Sequence, residues 1–161
     1  MTAPHRNVAL VLDVLRAGGA APRALEGMRV LPDAVTTAAA AAAALGVEAG
    51  QIANSLVFDA DGEPLLVLTS GGHRVDTGKV AALIGVDRMR RASPEFVRAA
   101  TGQPIGGVAP VGHPRPLRTL VDRALERYDE VWAAGGIPHA VFPSTFAELV
   151  TVTGGEPADV A

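Results

Sequence analysis

Ile52-Ala53-Asn54-Ser55-Leu56-Val57-Phe58, then Asp59-Ala60-Asp61-Gly62, then Leu65-Leu66-Val67-Leu68-Thr69, is the stretch that decides the fold. Two β-prone runs around a short polar link holding a glycine are a hairpin signal, so an antiparallel pair is expected. Alternation puts Ile52, Asn54 and Leu56 on one face and Ala53, Ser55 and Val57 on the other. Asn54 therefore shares a face with large apolar side chains. A polar group in that position either satisfies nearby backbone at a strand end or serves a site.

Working outward, apolar residues at 8, 11, 12 and 15 predict a helix over Pro4 to Leu15, ended by Gly18-Gly19. Met28 to Leu31 is a short strand candidate. Thr36-Thr37, an alanine tract, Leu45 and Gly46 combine cap chemistry with the best helix former. Asp76 or Thr77 starts a helix that ends near Gly85, Arg88 to Arg91 reads as a short strand, and Ser93-Pro94-Glu95 opens a helix closed by Gly102. Leu117 to Val121, Tyr128 to Ala134 and His139 to Phe142 read as strands. Thr145 and Glu148 match a capping box, and Gly154 onward, residues 154–161, reads as a loose tail. The elements do not alternate as regular βαβ units, so the expected fold is α/β with a mixed or largely antiparallel sheet and helices packed on it. No linker or repeat divides the 161 residues, which are read as one domain spanning 1–161.

Composition narrows the function classes. The chain is 48% hydrophobic but only 4% aromatic, so its core rests on Ala, Val, Leu and Ile. Cysteine is absent, which excludes disulfides and thiol nucleophiles. No apolar run spans a bilayer and the N-terminus does not read as a signal peptide, so a soluble cytoplasmic protein with no membrane partner is expected. A net charge of −3 argues against a general nucleic-acid coat and against DNA, while leaving local contact with an RNA end open. The arginines at 88, 90 and 91, and at 115, 118, 123 and 127, are either a solvated face or such a contact.

The usual catalytic signatures are missing: no nucleophile elbow, P-loop, dinucleotide fingerprint or paired metal histidines. The four histidines are scattered, so no metal and no cofactor is expected. What remains is Asn54-Ser55 and two glycine-bordered histidine loops, Gly71-Gly72-His73 and Ile105-Gly106-Gly107-Val108-Ala109-Pro110-Val111-Gly112-His113-Pro114. Three glycines and two prolines in ten residues make the second a shaped loop where a ligand can approach the main chain.

Gly46 to Phe58, Thr69 to Asp76 and Gly106 to His113, with Asp122, Tyr128-Asp129, Trp132 to Gly135 and Phe142, together resemble the YbaK/prolyl-tRNA-editing-domain family over about residues 28–153. The resemblance implies a single α/β domain with a mixed sheet curved into a partial barrel. It also implies hydrolysis of the ester bond of mischarged aminoacyl-tRNA, an activity required because a synthetase pocket discriminates poorly against smaller side chains. The family's G-x-x-P loop corresponds to Gly107-Val108-Ala109-Pro110, preceded by Gly106. The resemblance implies Asn54, Gly106, Gly107 and His113 as catalytic residues, and Ser55, Gly72, His73, Val108, Pro110 and Gly112 as substrate-binding ones. Its expected partners are the acceptor end of aminoacyl-tRNA and an aminoacyl-tRNA synthetase.

One position departs from the family pattern. Its deacylases usually carry lysine where this chain has Asn54, and losing a charge-assisted contact costs roughly 1.5–3 kcal/mol. Two readings therefore stand: a free-standing aminoacyl-tRNA deacylase, or a family-fold module that binds a small molecule, an aminoacyl end or a protein without hydrolysing it.

Overall fold

The computed structural model describes residues 4–161. Its long hairpin pairs β2 (Ile52–Ala60) with β3 (Glu63–Ser70). Asp61 and Gly62 both take positive φ, 51° and 91°, as a two-residue hairpin turn that follows strand twist requires. Asp61 also reaches sideways: its carboxylate accepts from the N–H groups of Asp87 and Arg88, and its own N–H donates to Arg88 O. That fixes β4 (Met89–Arg91) against the end of β2.

Around the hairpin the other strands complete one mixed sheet. β1 (Arg29–Val30), β5 (Arg118–Asp122), β6 (Val131–Ala134), β7 (Ala140–Ser144) and β8 (Glu156–Ala158) give the order β1-β7-β6-β2-β3-β5-β8, with β4 off this path on β2. The pairings β2–β6, β3–β5 and β5–β8 are parallel, and the rest are antiparallel. The single-domain α/β fold with a curved mixed sheet is thus as the sequence implied.

The helices cover both faces. On one, α1 (Arg6–Ala17), α5 (Pro94–Thr101) and α6 (Phe146–Thr153) bury Val11, Leu15, Val97 and Leu149 against Ala53, Val57, Leu66, Leu68, Val121 and Phe142. On the other, α4 (Thr77–Ile84) lays Val80 and Ala81 on Phe58, Leu65, Val67 and Leu120, while α3 (Ala38–Leu45) lays Ala41 and Ala42 on Ile52, Trp132 and Val141. The caps follow the sequence: Thr37, Asp76, Ser93 and Thr145 each accept an N–H at a helix start. The expected box at Thr145 is half made, because Glu148 bonds Ala21 N–H and Ser144 Oγ instead.

Three readings are corrected. A five-residue helix, α2 (Pro22–Glu26), stands where no element was expected, and the strand expected from Tyr128 begins only at Val131 because residues 123–127 form a 3₁₀ turn. The segment 154–161 is not a loose tail. Glu156–Ala158 pairs with Leu120–Asp122, Val160 is fully buried beside Phe58 and Val67, and Val160 O accepts the Asp76 N–H at 2.8 Å. Proline and acids disguised an edge strand, where a missing N–H and charged side chains are tolerated. Val160→Ala is expected to lower unfolding free energy by about 1.5 kcal/mol or more, two methyl groups at roughly 0.8 each plus a cavity cost, read as a lower urea midpoint.

Candidate functional site

β2 is a nine-residue strand with two different neighbours along one edge. Ile52 and Ala53 pair with Trp132 and Ala133 of β6, and Phe58 to Ala60 pair with β4. Between them Ala92 N–H reaches Val57 O, and on this edge no strand residue pairs with Ser55, whose cross-strand partner Leu68 lies on the β3 side. Because Ala60 and Glu63 flank a two-residue turn as a hydrogen-bonded pair, residues 53, 55 and 57 turn their main-chain groups toward this edge. The Ser55 N–H and C=O therefore face an opening in the sheet.

A cleft of about 720 Å³ occupies that opening. Asn54, Ser55, His73, Gly106 and Val108 all line it, whereas Gly72, Gly107, Pro110, Gly112 and His113 do not. Ser55 Oγ is buried without a hydrogen-bond partner, on the face shared with Ala53 and Val57. Asn54 faces the other way, opposite its cross-strand neighbour Thr69. The cleft thus reaches both faces of β2. Its only charged lining residues are His73, once protonated, and the exposed Arg74 and Arg91, with no carboxylate among the described lining residues. Such walls favour an anionic or acceptor-rich ligand.

The glycine loop is held from behind. Gln103, 1% exposed, donates to Val111 O at 3.2 Å and accepts the Ala109 N–H at 2.7 Å, while His113 Nε2 meets Ala109 O at 2.8 Å. Gly107 backs onto the β6–β7 turn so tightly that a Cβ would lie 2.5 Å from Ile137 C. Its N–H is already given to Pro104 O. The N–H groups of Gly106 and Val108 have no partner among the described residues, and both residues line the cleft. Close approach is thus offered by Gly106 and Val108, with Gly107 serving the packing behind them. Pro110 is buried, and Gly112, at φ 88°, packs against Gln103 and Val11. Gly72 instead donates its N–H to Ser70 Oγ.

The largest polar network at the site was not legible as one. Asp122, 1% exposed at the end of β5, accepts from Thr69 Oγ1 at 3.3 Å, Ser70 N–H at 2.9 Å and Ala124 N–H at 2.9 Å, and it meets His73 Nε2 at 2.5 Å. The usable signal was an acid closing an apolar strand, a place where a buried carboxylate needs partners. Gln103 gave a weaker one, a lone amide between Gly102 and the loop. Among the described residues no three of His, Asp and Glu gather to hold a metal ion, and no helix is long and apolar enough to cross a membrane.

The fold and site define an α/β domain whose cleft opens through its own sheet beside a glycine loop. Residues 32–152 match the aminoacyl-tRNA editing domain family, and the chain belongs to it. A solved structure described as a candidate trans-editing enzyme for prolyl tRNA synthetase is 42% identical, superposes with a TM-score of 0.87 and covers 98% of each chain. A proline–tRNA ligase of Nitratidesulfovibrio vulgaris (strain DP4) is 40% identical over 91 residues, 56% of this chain but only 16% of the ligase. The uncharacterized protein YwhH of Bacillus subtilis (strain 168) is 33% identical over 68% of this chain and 69% of its own length.

Burial lowers the His113 pKa below 6.5, a shift its bond to Ala109 opposes only in part. The folded chain then resists protonation that the unfolded chain accepts, so this contribution is present above about pH 6.5 and lost as pH falls through the lower folded value. His113→Gln, which keeps a donor for Ala109, should make the urea midpoint less sensitive to acidification from about pH 7 to 5 than in the wild type.

Proposed function

We propose that the chain is a free-standing aminoacyl-tRNA deacylase that hydrolyses the ester of a mischarged tRNA in trans. The observation that supports this most is the cleft itself, which gathers Gly106 and Val108, whose N–H groups have no partner among the described residues, with Ser55, whose buried Oγ has none, and Asn54. A tetrahedral intermediate at an ester carbon places negative charge on one oxygen. Two preorganised main-chain donors meet that charge without reorganising, and each such donor contributes about 10²–10³ in rate.

In this reading Ser55 and Asn54 hold the amino acid and terminal ribose, and Arg74 and Arg91 take the phosphates of the acceptor end. Small alanine and valine walls suit a small side chain such as that of alanine, cysteine or serine. The kinship with proline–tRNA ligases makes the prolyl system the first source of mischarged substrate to test, with its synthetase as partner, in the cytoplasm. A specific feature supports the second reading, a binding module: no lysine lines the cleft, and Asn54 stands where the family resemblance implies that deacylases usually carry one.

Release of labelled amino acid from a panel of mischarged tRNAs separates the two. The wild type should release a small amino acid above the buffer rate, and no release from any member of the panel would leave only the binding reading. Asn54→Lys should preserve or raise the rate. Gly107→Ala should lower kcat/KM at least about tenfold, because its methyl group meets the backbone at Ile137 and Pro138 and the loop must shift.

A further inference from the structure

Asp122 is tied down by Thr69, Ser70 and Ala124, so its carboxylate cannot turn away from His73. His73 is different: its side chain is about one third exposed (33%) and it lines the cleft. An ionised carboxylate only accepts, so the neutral ring that meets Asp122 through Nε2 must carry its proton there. Nδ1 then holds the lone pair, and it has no hydrogen-bond partner among the described residues. Asn54 stands across from Thr69 on the same face as this network.

We propose that His73, oriented by Asp122, is the general base that activates water for ester cleavage in this cleft, supplying chemistry that position 54 does not. The inference rests on the deacylase reading. Nδ1 takes a proton from water as the water oxygen bonds to the ester carbonyl carbon, and the carbonyl oxygen becomes an oxyanion facing the Gly106 and Val108 N–H groups. The bond from that carbon to the ribose oxygen then breaks. The imidazolium returns its Nδ1 proton to the leaving oxygen, so ester and one water become a free amino acid and a ribose hydroxyl, with nothing oxidised or reduced. Asp122 is a positioning residue that holds the tautomer.

The test uses the full chain and a mischarged tRNA that the wild type deacylates. His73→Gln keeps an N–H for Asp122 but no base, and should lower the single-turnover rate constant about 10²-fold. Affinity for an amide-linked aminoacyl-adenosine and the urea midpoint should stay near wild type. His73→Ala should regain activity with added imidazole. ¹⁵N NMR should find the Nε2–H tautomer of His73 in the wild type, and mixed tautomers in Asp122→Asn. A His73→Gln rate within about threefold of wild type, a loss explained by weaker analogue binding, no rescue by imidazole, or a predominantly Nδ1–H ring in the wild type would each overturn the assignment. If Asp122→Asn does not fold, the wild-type spectrum still decides. A wild type that releases nothing overturns the deacylase reading together with this one, whereas an active wild type matched by His73→Gln overturns this one alone.

Discussion

The structure depends on one unequal sharing of hydrogen bonds. β2 gives its whole length to β3 on one side, but on the other it divides between β6 at its start and β4 at its end. A strand in a continuous sheet has every main-chain group paired; this one leaves Ser55 open in the middle of the fold. Unpaired groups at depth cost free energy unless water or a ligand reaches them, so the cleft is the physical counterpart of the split. The glycine loop and the His73–Asp122 pair matter because they border that opening.

Packing and cleft lining fall to different residues around the cleft. Gln103, His113 and Gly107 work behind the loop, through buried bonds and a close backbone contact. Gly106 and Val108 stand in front. The same division appears across β2, where Ala53 and Val57 pack in the core beside Ser55, while Asn54 faces the Thr69–Asp122 network. Adjacent residues with opposite duties follow directly from the two-residue period of a strand.

Much of the fold was legible because the local signals were strong. Caps at Thr37, Asp76 and Ser93 and the Asp-Gly turn specify their elements with nearby atoms alone. The 154–161 segment was misread because only its partner β5 and the cavity that receives Val160 make it a strand. The site was half legible for a similar reason. Asn54, Ser55, His73, Gly106 and Val108 carry visible residue chemistry and meet in one cleft. Which glycine keeps a free N–H, and that Asp122 lies beneath a histidine 49 positions away in sequence, depend on tertiary contacts that no local pattern encodes.

Asp61 lies at the tip of the hairpin and does not line the cleft, yet its carboxylate and N–H hold the chain entering β4. Since β4 forms one jamb of the opening, these bonds anchor that jamb at its entry. One wall of the cleft is consequently anchored from a solvent-exposed turn, by a residue that does not line the cleft itself.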